Sequence, residues 1–141
     1  MWKHFAIVAL LLAITAPLSA EPADWRRPVA TYSIVARDSL TGQIGVAVQS
    51  HWFSVGPIVP WAKAGVGAVA TQSLVDPAYG PLGLELMTVG RSATETLTAL
   101  LAADADREVR QVAMVDAKGN VAAHTGSRAI IARYCQMLWM R

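Results

Sequence analysis

The sequence predicts an α+β domain in which antiparallel strands and helices form separate layers. Two stretches with period-two alternation, at residues 31–49 and 109–125, each read as two strands joined by a tight turn. Two helical patterns follow one another between them, within residues 82–103. Because the strands come in consecutive hairpins and the helices are grouped together, a layered α+β domain is expected and not a doubly wound parallel sheet.

Residues 1–20 are expected to be a signal peptide that is removed from the mature protein. Lys3 supplies a positive charge, residues 5–16 are almost wholly apolar, and the segment ends in small residues at Ala20. The apolar run is short for a transmembrane helix. We therefore expect export to the periplasm or beyond, with no membrane association after cleavage. Residues 21–29 contain two prolines and are expected to be an irregular lead-in.

Composition favours a packed globular domain over a disordered or nucleic-acid-binding chain. Hydrophobic residues make up 54% of the sequence and charged residues 16%, with a formal net charge of +2. The basic residues are scattered, which is not the pattern of a nucleic-acid footprint. Since Cys135 is the only cysteine, no intramolecular disulfide can form. Two mature histidines without paired cysteines predict no metal site, and no cofactor is expected.

The first hairpin comprises predicted strands at 31–37 and 44–49. Tyr32, Ile34 and Val46 are the β-branched or aromatic residues typical of strands. Between the strands, Asp38 offers a side-chain acceptor and Gly42 can adopt a positive φ, as a turn requires. The hairpin is therefore well defined by its sequence.

The middle of the chain predicts a loop, a buried strand and two helices. Prolines and a glycine in residues 51–61 exclude a regular helix, so this segment is expected to be a loop. Residues 65–72 are small and apolar enough for a strand buried on both faces. A turn is predicted at 76–81, a helix at 82–89, and a second helix beginning at the capping box formed by Ser92 and Glu95. Strands at 109–115 and 121–125 complete the order.

Several of these segments resemble a known family, DUF1028. The segments are those at 30–38, 41–48, 59–62, 65–72, 77–81, 83–86 and 122–126. The resemblance covers residues 30–127 in order. The family is regarded as similar to the N-terminal-nucleophile (Ntn) hydrolases, which implies a four-layer αββα sandwich of two antiparallel sheets between helices. The resemblance implies no substrate.

The resemblance also sets expectations for the end of the chain. Residues 30–127 are expected to form a partial domain of this type, incomplete at its C-terminus, and residues 128–141 an atypical tail. An edge strand without its partner leaves unpaired backbone groups, so association into homo-oligomers is expected.

By the resemblance, Thr31 takes the nucleophile position. Its hydroxyl would attack an amide carbonyl, with the α-amine of Thr31 as base, which requires a chain cut between Ala30 and Thr31. The competing interpretation is a β-branched strand residue with a local hydrogen bond. Ser33 lies on the same face of the strand and is either an auxiliary hydroxyl or a simple polar residue.

Asp38, His51 and His124 also have two interpretations each. Asp38 either forms an Asx turn or biases the protonation of the catalytic amine. Either histidine is a candidate general base, or else a hydrogen-bonded structural residue. The sequence thus favours an exported amidohydrolase acting on a small-molecule or peptide amide. The alternatives are a non-catalytic secreted binding module on the same fold and an inactive truncated fragment.

Overall fold

The computed structural model describes residues 31–129 and the backbone of the strand Cys135–Met140. The expected signal peptide at 1–20 and the lead-in at 21–29 lie outside the described residues. Neither helix of the described part combines the length and the hydropathy needed to cross a bilayer.

Seven strands, two α-helices and one 3₁₀ turn make up the described chain. The α-helices lie between the fourth and fifth strands, and the 3₁₀ turn Arg107–Val109 follows them. In chain order the strands and α-helices are β1 Thr31–Arg37, β2 Ile44–Ser50, β3 Pro60–Lys63, β4 Gly67–Ser73, α1 Tyr79–Thr88, α2 Ala93–Ala103, β5 Arg110–Asp116, β6 Val121–Thr125 and β7 Cys135–Met140.

The strands form two sheets that pack face to face. One sheet has the order β2-β1-β7, and the other has the antiparallel order β3-β4-β5-β6. Helices α1 and α2 cover one face of the four-stranded sheet, while β1 and β2 pack against its other face. The α+β prediction is confirmed, with three layers in the described residues. The second helical layer of an αββα sandwich does not appear among them.

Alternation along β4 assigns its residues to the two cores. Val69 packs under the helices, in a cluster that includes Met87, Leu97 and Met114. Ala68 and Ala70 point the other way and pack between the sheets, in a cluster that is completed by Val35, Ala113 and Val115. Since both faces are covered, the prediction of a doubly buried strand is confirmed.

The edge strand β3 was expected to be part of a loop. Proline excludes a helix but is tolerated as the first residue of an edge strand, which is the place of Pro60. Trp61 then packs flat under α1, where a Cβ at Gly80 would overlap its indole ring. Gly80 therefore allows a close helix-to-sheet approach that no larger residue permits.

Helix α1 begins three residues earlier than the sequence predicts, at Tyr79 instead of residue 82. Pro81 lies in the first turn, where its missing N–H needs no intrahelical partner, so it does not delay the helix. Helix α2 begins as predicted. The Ser92 hydroxyl accepts from the Glu95 amide at 3.2 Å, and the Glu95 carboxylate accepts from the Ser92 amide at 2.9 Å.

Strand β7 lies in the segment expected to be an atypical tail. Its backbone runs parallel to β1, with Thr31 opposite Cys135 and Ala36 opposite Met140. β1 is thus the central strand of its sheet, paired with β2 on one side and β7 on the other.

Candidate functional site

The residues that point between the two sheets change character from one end of the strands to the other. Along β1 they run from Val35 through Ser33 to Thr31, and along β4 from Ala68 and Ala70 to Gln72. The inward residues of β2, β5 and β6 also change from apolar to polar towards the end of the sheets where Thr31 lies. We call the resulting group the polar end of the inter-sheet core; it consists of Thr31, Ser33, Ser50, Gln72, Gln111 and, exposed on the edge strand β6, Thr125.

A chain of hydrogen bonds crosses the polar end from one sheet to the other. The Ser33 hydroxyl donates to Gln72 Oε1, and Gln72 Nε2 donates to Gln111 Oε1 at 2.7 Å. Gln111 Nε2 in turn donates to Thr125 Oγ1 at 3.2 Å. Ser33, Gln72 and Gln111 are each at most 4% exposed, so these bonds replace water for deeply buried polar groups.

Thr31 is buried at the start of β1, beside this chain of bonds. Its Oγ1 lies 2.9 Å from Ser50 Oγ, because Thr31 and Ser50 are directly opposite one another in the β1–β2 ladder. Ser50 Oγ also accepts from the Trp52 backbone N–H at 3.1 Å. The Ser50 oxygen keeps a second lone pair, so either hydroxyl can be the donor in its contact with Thr31.

A cavity of about 230 Å³ opens next to Thr31. The loop after β2 and the end of β4 supply its walls, and Gln72 is the second residue of the polar end that lines it. Ser73, at the end of β4, has a positive φ of 74°, a sparsely populated conformation for a residue with a side chain. The lining residues, none of them ionisable, are Thr31, Trp52, Phe53, Val55, Ile58, Val59, Gln72, Ser73 and Val75.

Of the residues singled out from the sequence, Thr31 and Ser33 come together and Asp38 does not join them. Asp38 lies in the turn beyond the opposite end of β1, about 20 Å from Thr31 at some 3.3 Å per strand residue. Its carboxylate accepts from the amides of Leu40 and Thr41 at 2.7 and 2.9 Å. The Thr41 and Leu40 bonds hold the pKa of Asp38 below its ordinary value. This is the Asx turn of the first interpretation.

The two histidines lie in different surroundings. His51 directly follows Ser50 and is exposed, with its ring 5.2 Å from the ring of Trp52. It is therefore at the same end of the sheet as Thr31, although it does not line the cavity. The His124 ring Nε2 lies 2.8 Å from the Arg107 carbonyl oxygen, a contact that ties β6 to the 3₁₀ turn.

Sequence reasoning missed Gln72, Gln111, Ser50 and Thr125 as site residues. The signal was present, because each of these strands carries a polar inward residue at the end nearest Thr31, which is the C-terminal end of β2, β4 and β6 and the N-terminal end of β5. Recognising it requires the strand pairing, which brings the ends of distant strands to one place. Within the described residues, no three His, Cys, Asp or Glu side chains are grouped closely enough to hold a metal ion.

Comparison with known proteins identifies one family. A family model described as a family of unknown function, DUF1028, matches residues 31–137 and so begins at Thr31. The crystal structure of a DUF1028 protein from Silicibacter pomeroyi is similar, with 31% sequence identity and a TM-score of 0.68 over 72% of this chain. The match covers 47% of the Silicibacter pomeroyi chain, so this chain spans about half of that relative. No curated protein matches the sequence.

Proposed function

This chain belongs to the DUF1028 family, and we propose that it hydrolyses a C–N amide bond with Thr31 as an N-terminal nucleophile on an Ntn-hydrolase-like fold. The observation that carries the proposal is the position of Thr31. It lies on the inward face of the central strand of one sheet, at the wall of a cavity, with its hydroxyl in contact with a second hydroxyl. The family match also begins at this residue.

The mechanism requires a cut between Ala30 and Thr31 that frees the α-amine. The amine, with an ordinary pKa of about 8, then takes the proton from Thr31 Oγ1 as the oxygen attacks the carbonyl carbon. The 2.9 Å contact between Thr31 Oγ1 and Ser50 Oγ holds the nucleophile in place, and either hydroxyl can be its donor. The protonated amine delivers the proton to the leaving nitrogen, and water hydrolyses the remaining ester.

Ser33 and Gln72 have different roles in the proposed reaction because of the hydrogen bonds that they already make. The Ser33 proton is engaged by Gln72 Oε1, so Ser33 fixes the position of Gln72 and is not an oxyanion donor. Gln72 uses one amide proton for Gln111, and it lines the cavity. Its second amide proton is the candidate donor to the oxyanion, a contribution of about 3 kcal/mol to transition-state stabilisation.

The competing function is binding without chemistry. The observation that favours it is the hydrogen bond between Thr31 and Ser50, which fully accounts for Thr31 as a buried strand residue. A binding module would use the same cavity but would have no need of a free amine at Thr31.

The experiment combines N-terminal sequencing with an amidase assay. Active material should begin at Thr31. It should hydrolyse N-hexanoyl-7-amino-4-methylcoumarin and so release the fluorescent amine 7-amino-4-methylcoumarin. Thr31→Ala should abolish the release and leave the melting curve nearly unchanged. Thr98→Ala removes the same atoms from an exposed position of α2 and should keep full activity.

A covalent probe adds a readout that does not depend on the substrate. A β-lactone should acylate Thr31 in the active material, and peptide mass spectrometry should locate the adduct on that residue. A mature chain that begins at Glu21, with no adduct at Thr31, would overturn hydrolysis by Thr31.

A further inference from the structure

We propose that the cavity beside Thr31 binds the uncharged, apolar acyl group of the amide substrate, an inference that rests on the proposed hydrolysis and adds its substrate class. A linear group of about six carbons, or a single aromatic ring with a short linker, is the expected size. The amine part of the substrate stays outside the cavity.

The chemistry of the walls excludes a charged group. All nine lining residues are uncharged, and aliphatic and aromatic side chains predominate. An ionised carboxylate or ammonium enclosed among these side chains would lose its hydration without gaining an opposite charge from any of them, which costs several kcal/mol. Burial of an apolar group in the cavity is favourable, because four aliphatic side chains offer it apolar contacts: Val55, Ile58, Val59 and Val75.

The volume sets the size of the group. Cavities of about 150 Å³ hold one benzene molecule, whereas pockets for whole drug-sized ligands begin near 300 Å³. At about 230 Å³, this cavity accommodates one substituent of a substrate and not an entire larger molecule. The remainder of the substrate must therefore extend through the opening.

The positions of the buried and exposed walls indicate which part of the substrate is enclosed. Thr31, Val59 and Gln72 are buried, whereas Trp52 and Phe53 are 64% and 99% exposed. The opening is therefore on the side of the two aromatic residues. In the proposed reaction the amine leaves while the acyl group stays bonded to Thr31 Oγ1, so the part that departs must lie towards the opening and the enclosed part is the acyl group.

Three primary amides of equal chain length test the inference by binding alone. Hexanamide is uncharged, 6-aminohexanamide carries a terminal ammonium, and adipamic acid carries a terminal carboxylate. Each is titrated into the full chain with the Thr31→Ala substitution, which removes turnover, while the methyl NMR signals of Val55, Ile58 and Val59 are followed. Hexanamide should shift these signals saturably, with a Kd of about 1–10 mM for so small a ligand. The two charged amides should bind at least ten-fold more weakly.

Two variants locate the binding. Ile58→Trp fills the cavity and should weaken hexanamide binding at least ten-fold, whereas Val89→Trp adds the same side chain at a position that is 77% exposed and away from the cavity. Val89→Trp should leave hexanamide binding unchanged. If Ile58→Trp does not melt cooperatively, Val75→Phe fills the cavity from another wall and takes its place.

The outcomes separate this inference from the proposed function. Equal binding of the three amides, or hexanamide binding that survives the filling of the cavity by Ile58→Trp or its replacement Val75→Phe, overturns the inference even if Thr31 proves catalytic. Selective hexanamide binding in a protein that never exposes an N-terminal Thr31 supports the ligand class of the cavity and overturns the hydrolytic mechanism.

Discussion

Substitution of Gln72 by leucine measures what the buried polar chain contributes to stability. Gln72 is 1% exposed and joins the two sheets, because it accepts from Ser33 on β1 and donates to Gln111 on β5. Leucine has nearly the same size as glutamine but can form a hydrogen bond with neither Ser33 nor Gln111. It leaves the Ser33 hydroxyl and Gln111 Oε1 each without this bond, at a cost of about 1–3 kcal/mol per group.

Part of that cost is offset because leucine buries an apolar side chain, a gain of up to about 2 kcal/mol. We therefore expect Gln72→Leu to lower the free energy of unfolding by about 2–4 kcal/mol. For a domain of about 100 residues, this corresponds to a fall in Tm of roughly 10–20 °C. The matched control is Gln49→Leu, the same change on the exposed face of β2, which should stay within about 0.5 kcal/mol of wild type.

A double-mutant cycle with Ser33→Ala isolates the bond between Ser33 and Gln72. Ser33→Ala alone leaves Gln72 Oε1 without its donor and should cost about 1–3 kcal/mol. In the double variant neither group of this pair remains to be satisfied, so its cost should fall short of the sum of the two single costs by about 1–3 kcal/mol. The assay is urea unfolding of all four proteins, followed by far-UV circular dichroism. Additivity within about 0.5 kcal/mol would refute the coupling.

Two further predictions concern the helices and the turn after β5. Thr96 has a buried hydroxyl with no hydrogen-bond partner among the described residues, so Thr96→Val should raise the free energy of unfolding by about 1 kcal/mol in the same urea assay. Burial raises the pKa of Asp116, but hydrogen bonds from the Asn120 side chain and from backbone amides, including that of Ala93, outweigh it and hold the pKa below its ordinary value. Since the pKa of Asp116 is lower in the folded than in the unfolded chain, ionised Asp116 stabilises the fold above about pH 4, and this stabilisation is lost as the pH falls further. Asp116→Asn should therefore cost about 1–3 kcal/mol at pH 7, and the difference from wild type should shrink below pH 4 in melting curves recorded across pH.

The elements with strong local signals could be predicted from the sequence. Alternation with β-branched residues located β1 and β2, and the Ser92–Glu95 pair located the start of α2, because these signals depend only on near neighbours in the chain. β3 escaped prediction because a four-residue edge strand beginning at Pro60 carries no periodic pattern of its own. Its formation depends on β4 alongside and on Trp61 packing under α1.

The residues of the candidate site could also be predicted from the sequence only where the signal is local. Thr31 and Ser33 were selected from a single strand, on which they are two residues apart and share a face. Gln72 and Gln111 were not, since nothing near them in sequence shows that they meet. Their pairing depends on the antiparallel register of β4 and β5, which places Gln72 opposite Gln111. Only the assembled sheets bring these glutamines to Thr31.

The polar end is difficult to explain by stability alone. Replacing a complete buried hydrogen-bond network by apolar residues of similar shape is often neutral or even stabilising. Further along the strands, the same inter-sheet core is formed by the aliphatic side chains of Val35, Ala113 and Val115. Ser33 and Gln72 depart from this pattern at the end where Thr31 and the cavity lie. Their polar groups are fixed by bonds to other strands, and such fixed groups stabilise developing charge without reorganising during a reaction. If Thr31 is the nucleophile as proposed, a variant with apolar residues at Ser33, Gln72 and Gln111 together should fold and should lose amidase turnover.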